Sequence, residues 1–273
     1  MIRRLTREDK AAVARLCDRA VSEDFIPLYF DSFIDQKVGF GFEENGVLVG
    51  IVFSSVALDG EAWLFGLRVD PDHQRKGIGR RLTQRALEEI SPTCHLVRVG
   101  IFKGNHASTT LVKFFGFSPR AGYFFREFKG PPLPTASTAR LKRARREALV
   151  EVYDRLTADP RLQANNLLLP HFYEWFRLTR ESLSTLINNG WVWSVGEQLA
   201  VVSTEQLDSE VEISYLSKPC EQVLPAILDR FADRGPIEAS LPAVPVLEET
   251  LRRLGFVIPG WGSEMTICER PLP

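Results

Sequence analysis

The segment from Leu67 to Leu82 combines glycines and basic side chains in a pattern that suits phosphate binding. An apolar strand pattern ends at Pro71 and a helical pattern begins near Ile78, so a loop leads into a helix N-terminus. Gly77 and Gly79 let backbone N–H groups approach a ligand closely, and the helix dipole at this end favours negative charge. The flanking basic residues are Arg75, Lys76, Arg80 and Arg81. The segment therefore predicts a site for a phosphate or pyrophosphate group.

The spacing of the glycines excludes two common phosphate-binding motifs. A P-loop places Gly-Lys-[Ser/Thr] after its first glycine, whereas Lys76 precedes both glycines here. The dinucleotide fingerprint G-x-G-x-x-G is also missing. From the glycines alone, a glycine-rich turn with a solvated basic face remains an open alternative.

Two motifs at a fixed separation resemble one known family. The sequence Gln74-x-x-Gly77-x-Gly79, placed after a strand that ends Val69-Asp70-Pro71, resembles the acyl-CoA-binding motif of the GCN5-related N-acetyltransferases (GNAT). The stretch from Asn105 to Phe117 resembles the second motif of that family, and residues 1–130 follow its order of strands and helices. The resemblance implies an acetyltransferase that uses acetyl-CoA as co-substrate and needs no metal. In that family the amine of the acceptor attacks the thioester directly.

The resemblance also implies which residues contact the cofactor. The main chain of the motif strand would pair with the pantetheine arm, and one of its N–H groups would polarise the thioester carbonyl. Backbone N–H groups of the loop would hold the pyrophosphate, and Asn105 would contact the cofactor arm. The implied cofactor-binding residues are Leu67, Arg68, Val69, Gln74, Arg75, Lys76, Gly77, Ile78, Gly79, Arg80 and Asn105.

A reacting amine must be neutral, so we expect a general base. Glu61 at the start of the motif strand and Asp24 are the first candidates, with Asp31 and Asp35 as alternatives. Many GNAT members carry a tyrosine five residues before the Phe of the Gly-Phe pair, where it protonates the departing thiolate. This chain has Val112 at that position. Tyr123 or Tyr29 would then be the substitute acid, and we predict Glu61, Asp24 and Tyr123 as the catalytic set.

The elements that position these residues form one half of a longer α/β chain. Prolines 131, 132 and 134 predict a linker over 131–140, between a CoA-binding domain (1–130) and a second domain (141–273). The second half repeats the order of elements. One helical face is predicted to begin at Phe172, Trp175 and Phe176, to continue through Leu183, Leu186 and Ile187, and to stop at Asn189-Gly190. It has no glycine between Gly196 and Gly235. We therefore predict two GNAT-like domains in tandem, the second degenerate, with one CoA per chain.

The amino-acid composition argues against nucleic acid as a partner. The 273 residues are 44% hydrophobic, with 34 Lys+Arg against 35 Asp+Glu, so no overall charge attracts nucleic acid. The four cysteines form no C-x-x-C pair, which argues against a zinc ribbon. The sequence shows no signal-peptide pattern and no long apolar run. We expect a cytoplasmic monomer or homodimer with no nucleic-acid or membrane partner.

The acceptor is the least constrained prediction. Asp24-Phe25-Ile26-Pro27 with Gly66-Leu67-Arg68-Val69 is similar to the histidine N-acetyltransferase group within the family. That similarity implies the amine of a small molecule or amino acid as acceptor. Two alternatives remain: a non-enzymatic acyl-CoA-binding sensor, and a tandem acetyltransferase that resembles the mycothiol synthases.

Overall fold

The computed structural model describes residues 1–21, 24–130, 140–204, 210–243, 245–260 and 262–273. Of the predicted linker, 131–139 lie outside these residues. The chain divides into two compact units, and each has a hydrophobic core of its own. The first comprises Met1–Ile101, Asn105–Pro119 and Cys268–Pro273, and the second comprises Phe102–Gly104 and Arg120–Ile267.

Strands and helices alternate along both units. The strands are β1 (Ile2–Arg4), β2 (Val38–Glu44), β3 (Val47–Val56), β4 (Ala62–Val69), β5 (Leu96–Phe102), β6 (Ser118–Phe128), β7 (Lys142–Arg143), β8 (Leu168–His171), β9 (Glu174–Arg177), β10 (Val192–Val195), β11 (Gln198–Thr204), β12 (Val211–Leu216), β13 (Ile237–Pro242), β14 (Phe256–Val257) and β15 (Glu264–Pro271). The helices are α1 (Lys10–Ala20), α2 (Ile26–Gln36), α3 (Ile78–Ile90), α4 (His106–Phe114), α5 (Leu149–Thr157), α6 (Pro160–Ala164), α7 (Arg180–Asn188), α8 (Val223–Arg230) and α9 (Pro245–Arg253). Among the described residues, no helix has both the length and the apolar composition that a membrane span requires.

The sheet of the first unit has the order β1-β2-β3-β4-β5. Its strands are antiparallel except for β4 and β5, which are parallel. The predicted turn between β2 and β3 is confirmed, with Asn45 and Gly46 at φ values of 51° and 76°. The apolar side of α3 packs on one face of the sheet, and α1 and α2 cover the other. The residues of α3 buried in this way are Ile78, Leu82, Ala86, Leu87 and Ile90.

The sheet of the second unit has the order β6-β13-β12-β11-β10-β7, in which β12 and β13 are parallel. Its core is dominated by α8, α9 and the strands beneath them. A separate two-stranded hairpin is formed by β8 and β9. Each unit is therefore a mixed α/β layer structure that contains a parallel strand pair, in agreement with the predicted repeat of element order.

The division of the chain into two units does not fall at the predicted boundary at residue 130. Residues Arg120–Phe128 of β6 belong to the second unit, because they pair with β13 and β14. The last residues, Cys268–Pro273, belong to the first unit, where Leu272 N donates to the His95 carbonyl at 2.8 Å. Strand pairing over such a separation leaves no local sequence signal, so the prolines marked a linker but not the division of the strands.

The second part of the helical face predicted from Phe172 to the stop at Asn189-Gly190 is confirmed, because Leu183, Leu186 and Ile187 are buried residues of α7. Its first part, from Phe172 to Phe176, is wrong. These residues form the β8–β9 hairpin, in which His171 pairs with Glu174 across a two-residue turn. Phe172 and Tyr173 in that turn have φ values of 45° and 65°. Aromatic residues rarely take this left-handed conformation. The turn also lacks the Asn-Gly pair that usually indicates a two-residue hairpin turn in a sequence.

Candidate functional site

Strands β4 and β5 separate halfway along their length. Three residue pairs join them, ending at Leu64 with Val99, and in the described part of the chain no register pair lies beyond this point. Gly66 follows with φ of 64°, opposite a register shift in β3 between Ile51 and Phe53. The main chain of 65–69 thus has one side turned away from β3 with no β5 partner. Such an edge can accept an extended ligand as an additional strand.

Asp70, the first residue of the loop that follows β4, is held by two hydrogen bonds. The Asp70 carboxylate accepts the Asp72 N–H at 2.9 Å, and Arg19 Nε donates to the same carboxylate at 2.7 Å. The Arg19 guanidinium holds the pKa of Asp70 below its ordinary value. Gln74 Nε2 donates to the Val69 carbonyl at 3.3 Å, which ties the loop back to β4. Arg75, at φ of 61°, lies in the left-handed region, where backbone N–H groups form concave anion sites.

The N-terminus of α3 presents donors that suit a phosphate. Gly77 caps the helix in the left-handed region, and the first helical bond runs from Arg81 N to its carbonyl at 3.0 Å. The N–H groups of Ile78, Gly79 and Arg80 precede that bond and have no helical acceptor. The nearest atoms to a Cβ built on Gly79 would be side-chain atoms of Leu67, Val69 and Leu111, at 3.6–3.9 Å. Gly79 therefore faces the unpaired part of β4, and the absence of a side chain leaves more room between that edge and the helix start.

Cationic side chains continue along α3 beyond the loop. The Arg80 guanidinium stacks on the exposed Phe114 ring, with 3.9 Å from its carbon to the centroid. Together with Arg81, Arg85 and Arg270 it lines a surface cavity of about 630 Å³. Arg81 and Arg85 also stack on aromatic rings of β2, so their positive charges are held in place beside the loop.

The second motif forms the start of α4. Asn105 caps this helix, and its Oδ1 accepts the Ser108 N–H at 3.0 Å. Its side chain is exposed, and its amide nitrogen has no acceptor among the described residues. Val112 is buried within the apolar core of the first unit. The position that many relatives fill with a tyrosine is therefore occupied by hydrocarbon.

Asp24 lies beside β4 but is already paired. Its side chain is 1% exposed, and its two oxygens accept from Arg68 Nε at 2.6 Å and Nη2 at 3.0 Å. Asp24 also accepts the Ile26 N–H at the start of α2, at 3.2 Å. The pair joins the segment before α2 to the unpaired part of β4. This geometry makes Asp24 a structural anchor rather than an open proton acceptor.

The other two predicted catalytic residues, Glu61 and Tyr123, are engaged by main-chain groups of their own units. Glu61 accepts the backbone N–H groups of His95 and Leu96 at 3.1 and 2.7 Å, at the opposite end of β4, on the order of 25 Å from Asp70. Tyr123 lies in the second unit, where its hydroxyl donates to the Leu168 carbonyl at 2.5 Å. Burial raises the pKa of Tyr123 above its ordinary value.

The alternative residues are also engaged on the surface of the first unit. Asp31 pairs with Lys10, and Asp35 pairs with Arg7 at 2.6 Å. Tyr29 stacks on Phe33 with 6.0 Å between ring centroids. Each of these alternative residues therefore already has a partner within the described part of the first unit.

The corresponding loop of the second unit is closed by a side chain that the sequence did not single out. The Gln198 Oε1 atom accepts the N–H groups of Gln222 and Val223, both at 2.9 Å. These are the donors at the start of α8, the equivalents of those left open at α3. Pro219 in the same loop has no N–H, and Glu221 is exposed and acidic. The helix start that is predicted to bind phosphate in the first unit thus has a counterpart here that is already capped.

Known proteins resemble the first part of this chain in sequence. The sequence pattern of the acetyltransferase (GNAT) family matches residues 5–117. The [ribosomal protein bS18]-alanine N-acetyltransferase of Escherichia coli strain K12 is 38% identical over 56 residues, which are 20% of this chain and 37% of that protein. The match thus spans little more than a third of that relative's length.

Solved structures resemble the chain over both units. A GCN5-related N-acetyltransferase from Sphaerobacter thermophilus superposes with a TM-score of 0.65 at 12% identity, covering 100% of this chain and 95% of that one. A tandem GNAT protein from the clavulanic acid biosynthesis pathway gives 0.58 at 11% identity, covering 100% and 98%. At this identity the likeness concerns the fold alone, and it confirms the predicted tandem arrangement.

Proposed function

Since residues 5–117 belong to the acetyltransferase (GNAT) family, we propose that this chain transfers an acetyl group from acetyl-CoA to the amine of a small molecule or amino acid. One observation carries the proposal: the unpaired edge of β4 leads directly into the open N–H groups at the start of α3. Acetyl-CoA has an extended thioester arm with a pyrophosphate at its far end. The arm matches the unpaired edge of β4, and the pyrophosphate matches the N–H groups at the start of α3.

The first unit would hold the cofactor through its main chain. Leu67, Arg68 and Val69 would pair with the pantetheine arm, and the N–H groups from Gln74 to Arg80 would surround the pyrophosphate. Lys76 and the Arg75 side chain, both exposed at the loop, would add positive charge. Asn105 would donate its free amide N–H to the arm.

Acetyl-CoA supplies the acetyl group as a thioester, which a neutral amine attacks directly. In this chain we assign Asp24 and Arg68 a positioning role, because their buried ion pair holds β4 at its unpaired part. A main-chain N–H of that strand would stabilise the charge that develops on the carbonyl oxygen. A CoA thiol leaves as a thiolate without difficulty, so Val112 does not preclude transfer.

The proposal is tested by release of free CoA thiol from acetyl-CoA with a panel of acceptors. The panel should contain single amino acids, small amines and peptides with an N-terminal alanine. Turnover with an amine or amino acid supports the proposal, and turnover with the peptides alone would place the chain with protein-modifying acetyltransferases. Tight acetyl-CoA binding with no turnover on any acceptor would favour the acyl-CoA sensor instead.

A further inference from the structure

We propose that the surface cavity beside α3 is a binding site for a phosphate monoester, formed by arginines of the first unit. These arginines are Arg80, Arg81, Arg85 and Arg270. One source of such a group is the 3′-phosphate of CoA, and this source rests on the proposed function. The other source is a separate small phosphate ester, which binds whether or not the chain transfers acetyl groups.

The cavity has a local excess of positive charge. Its volume is about 630 Å³, and four guanidinium groups line it against one carboxylate, that of Glu88. This carboxylate accepts a hydrogen bond from Gln84 Nε2 at 2.9 Å. The chain as a whole carries 34 Lys+Arg against 35 Asp+Glu, so the excess does not follow from composition. A concave surface with such an excess attracts an anionic ligand.

Three of the four arginines have no carboxylate partner. Arg80, Arg81 and Arg270 form no ion pair in the described part of the chain, whereas Arg85 pairs with Glu89 at 2.8 Å. Most other arginines of the first unit are paired with carboxylates, namely Arg3, Arg4, Arg7, Arg19, Arg68 and Arg98. The positive charges that remain without a partner are thus gathered at the cavity.

Aromatic rings hold two of these guanidinium groups in place. The central carbon of the Arg80 guanidinium lies 3.9 Å from the centroid of the Phe114 ring. That of Arg81 lies 4.7 Å from the centroid of the Phe42 ring. Stacking uses the flat face of a guanidinium and leaves the N–H groups at its edge available. Because paired N–H groups match the oxygens of a phosphate dianion, these side chains need little further ordering to bind one.

The cavity begins where the proposed pyrophosphate site ends. Arg80 contributes its main-chain N–H to the start of α3 and its side chain to the cavity. Arg85 follows five residues later, which is about 7.5 Å along the helix axis at about 1.5 Å per residue. In CoA a single ribose separates the pyrophosphate from the 3′-phosphate. The third phosphate of a bound CoA would therefore lie within reach of the arginines.

Titration calorimetry with CoA and with dephospho-CoA, which lacks only the 3′-phosphate, tests the first source. We expect CoA to bind about tenfold more tightly or better, as the loss of one charge-assisted hydrogen bond implies. A double variant with Arg81→Gln and Arg270→Gln should lose most of that difference, because its CoA affinity falls while its affinity for dephospho-CoA stays unchanged.

Arg15→Gln is the matched control for this loss of charge. Arg15 is an exposed arginine of α1, and α1 packs on the other face of the sheet from α3. We expect this variant to bind both cofactors like the wild type. Arg81→Lys keeps the charge without the planar fork of N–H groups, so its CoA affinity should lie between those of the wild type and Arg81→Gln. Thermal unfolding of each variant monitors the fold.

Inorganic phosphate tests the second source. It is titrated into the chain saturated with dephospho-CoA, which fills the pyrophosphate site. Phosphate binding that is lost in the double variant and kept in Arg15→Gln supports the cavity. If CoA and dephospho-CoA then bind equally, the ligand is a separate phosphate ester rather than CoA.

Two results would overturn the proposal. One is equal binding of CoA and dephospho-CoA together with phosphate binding that does not depend on the arginines. The other is an equal loss of affinity in Arg15→Gln and the double variant, because the effect would then come from total charge. If neither cofactor binds, the proposed function fails, and phosphate titration of the chain alone still decides whether the cavity binds phosphate.

Discussion

Substitution of Gly79 by valine tests whether the start of α3 binds the pyrophosphate. The backbone at Gly79 is helical, so valine meets no conformational barrier there. Its Cβ would come no closer than 3.6 Å to Leu67 and 3.8 Å to Val69. At the Cβ these are ordinary van der Waals contacts. The two Cγ methyl groups would narrow the space between the start of α3 and the unpaired edge of β4, where the proposal places the cofactor.

The magnitude follows from the bonds that are lost. A hydrogen bond to a charged group contributes about 1.5–3 kcal/mol. Loss of one such bond raises the Kd for CoA by about 10- to 150-fold at 1.4 kcal/mol per factor of ten. Loss of two would take binding beyond the range of direct titration.

Titration calorimetry with CoA measures the effect, and thermal unfolding monitors the fold. Gly122→Val is the matched control, because a Cβ there meets nothing within 4 Å and the residue lies on β6 of the second unit. We expect the control to bind CoA like the wild type. An unchanged Kd in Gly79→Val would show that the phosphates do not bind at the start of α3.

Three further outcomes are expected. Asp24→Asn should lower the free energy of unfolding, measured in denaturant, by about 3 kcal/mol, because Arg68 loses its buried partner. A variant that loses turnover but keeps the stability of the wild type would make Asp24 the general base instead. The rise in the pKa of Glu212 from 4.5 to about 7 corresponds to about 3 kcal/mol. The folded state keeps that proton longer than the unfolded state, so stability is lost as pH rises from about 4.5 through 7; Glu212→Gln should flatten this loss in unfolding titrations at pH 5 and 8. CoA should bind once per chain because Gln198 caps α8, and a calorimetric ratio near two would contradict this.

The geometry of the loop before α3 could be predicted from the sequence because it depends on neighbouring residues of the chain. Two glycines two residues apart, a strand before them and a helix after them determine where the N–H groups lie. The same locality made the Asn45-Gly46 turn and the apolar face of α3 predictable. Each of these features is specified within a few residues of its own position.

The predicted catalytic set depends on side-chain partners that come from distant positions in the chain, and hydrophobic periodicity does not reveal such partners. Asp24 was chosen as an open carboxylate, but Arg68, 44 residues away, neutralises it. Tyr123 was placed with the first half, but its strand pairs within the second unit. Glu61 was chosen for its place on the motif strand, and its oxygens instead hold the start of β5. Side-chain partners of this kind follow from packing, which periodicity does not encode.

The two units differ at the centre of their parallel strand pairs and at the helix start that follows. In each unit a parallel strand pair is joined by three residue pairs, and the central pair is Trp63 with Arg98 in the first and Glu212 with Glu238 in the second. Arg98 is 1% exposed and balanced by carboxylates at 2.7 and 2.8 Å. In the second unit Gln198 Oε1 accepts the N–H groups at the start of α8. Because a phosphate needs such N–H groups as free donors, two units with the same strand pairing are expected to differ in their affinity for CoA.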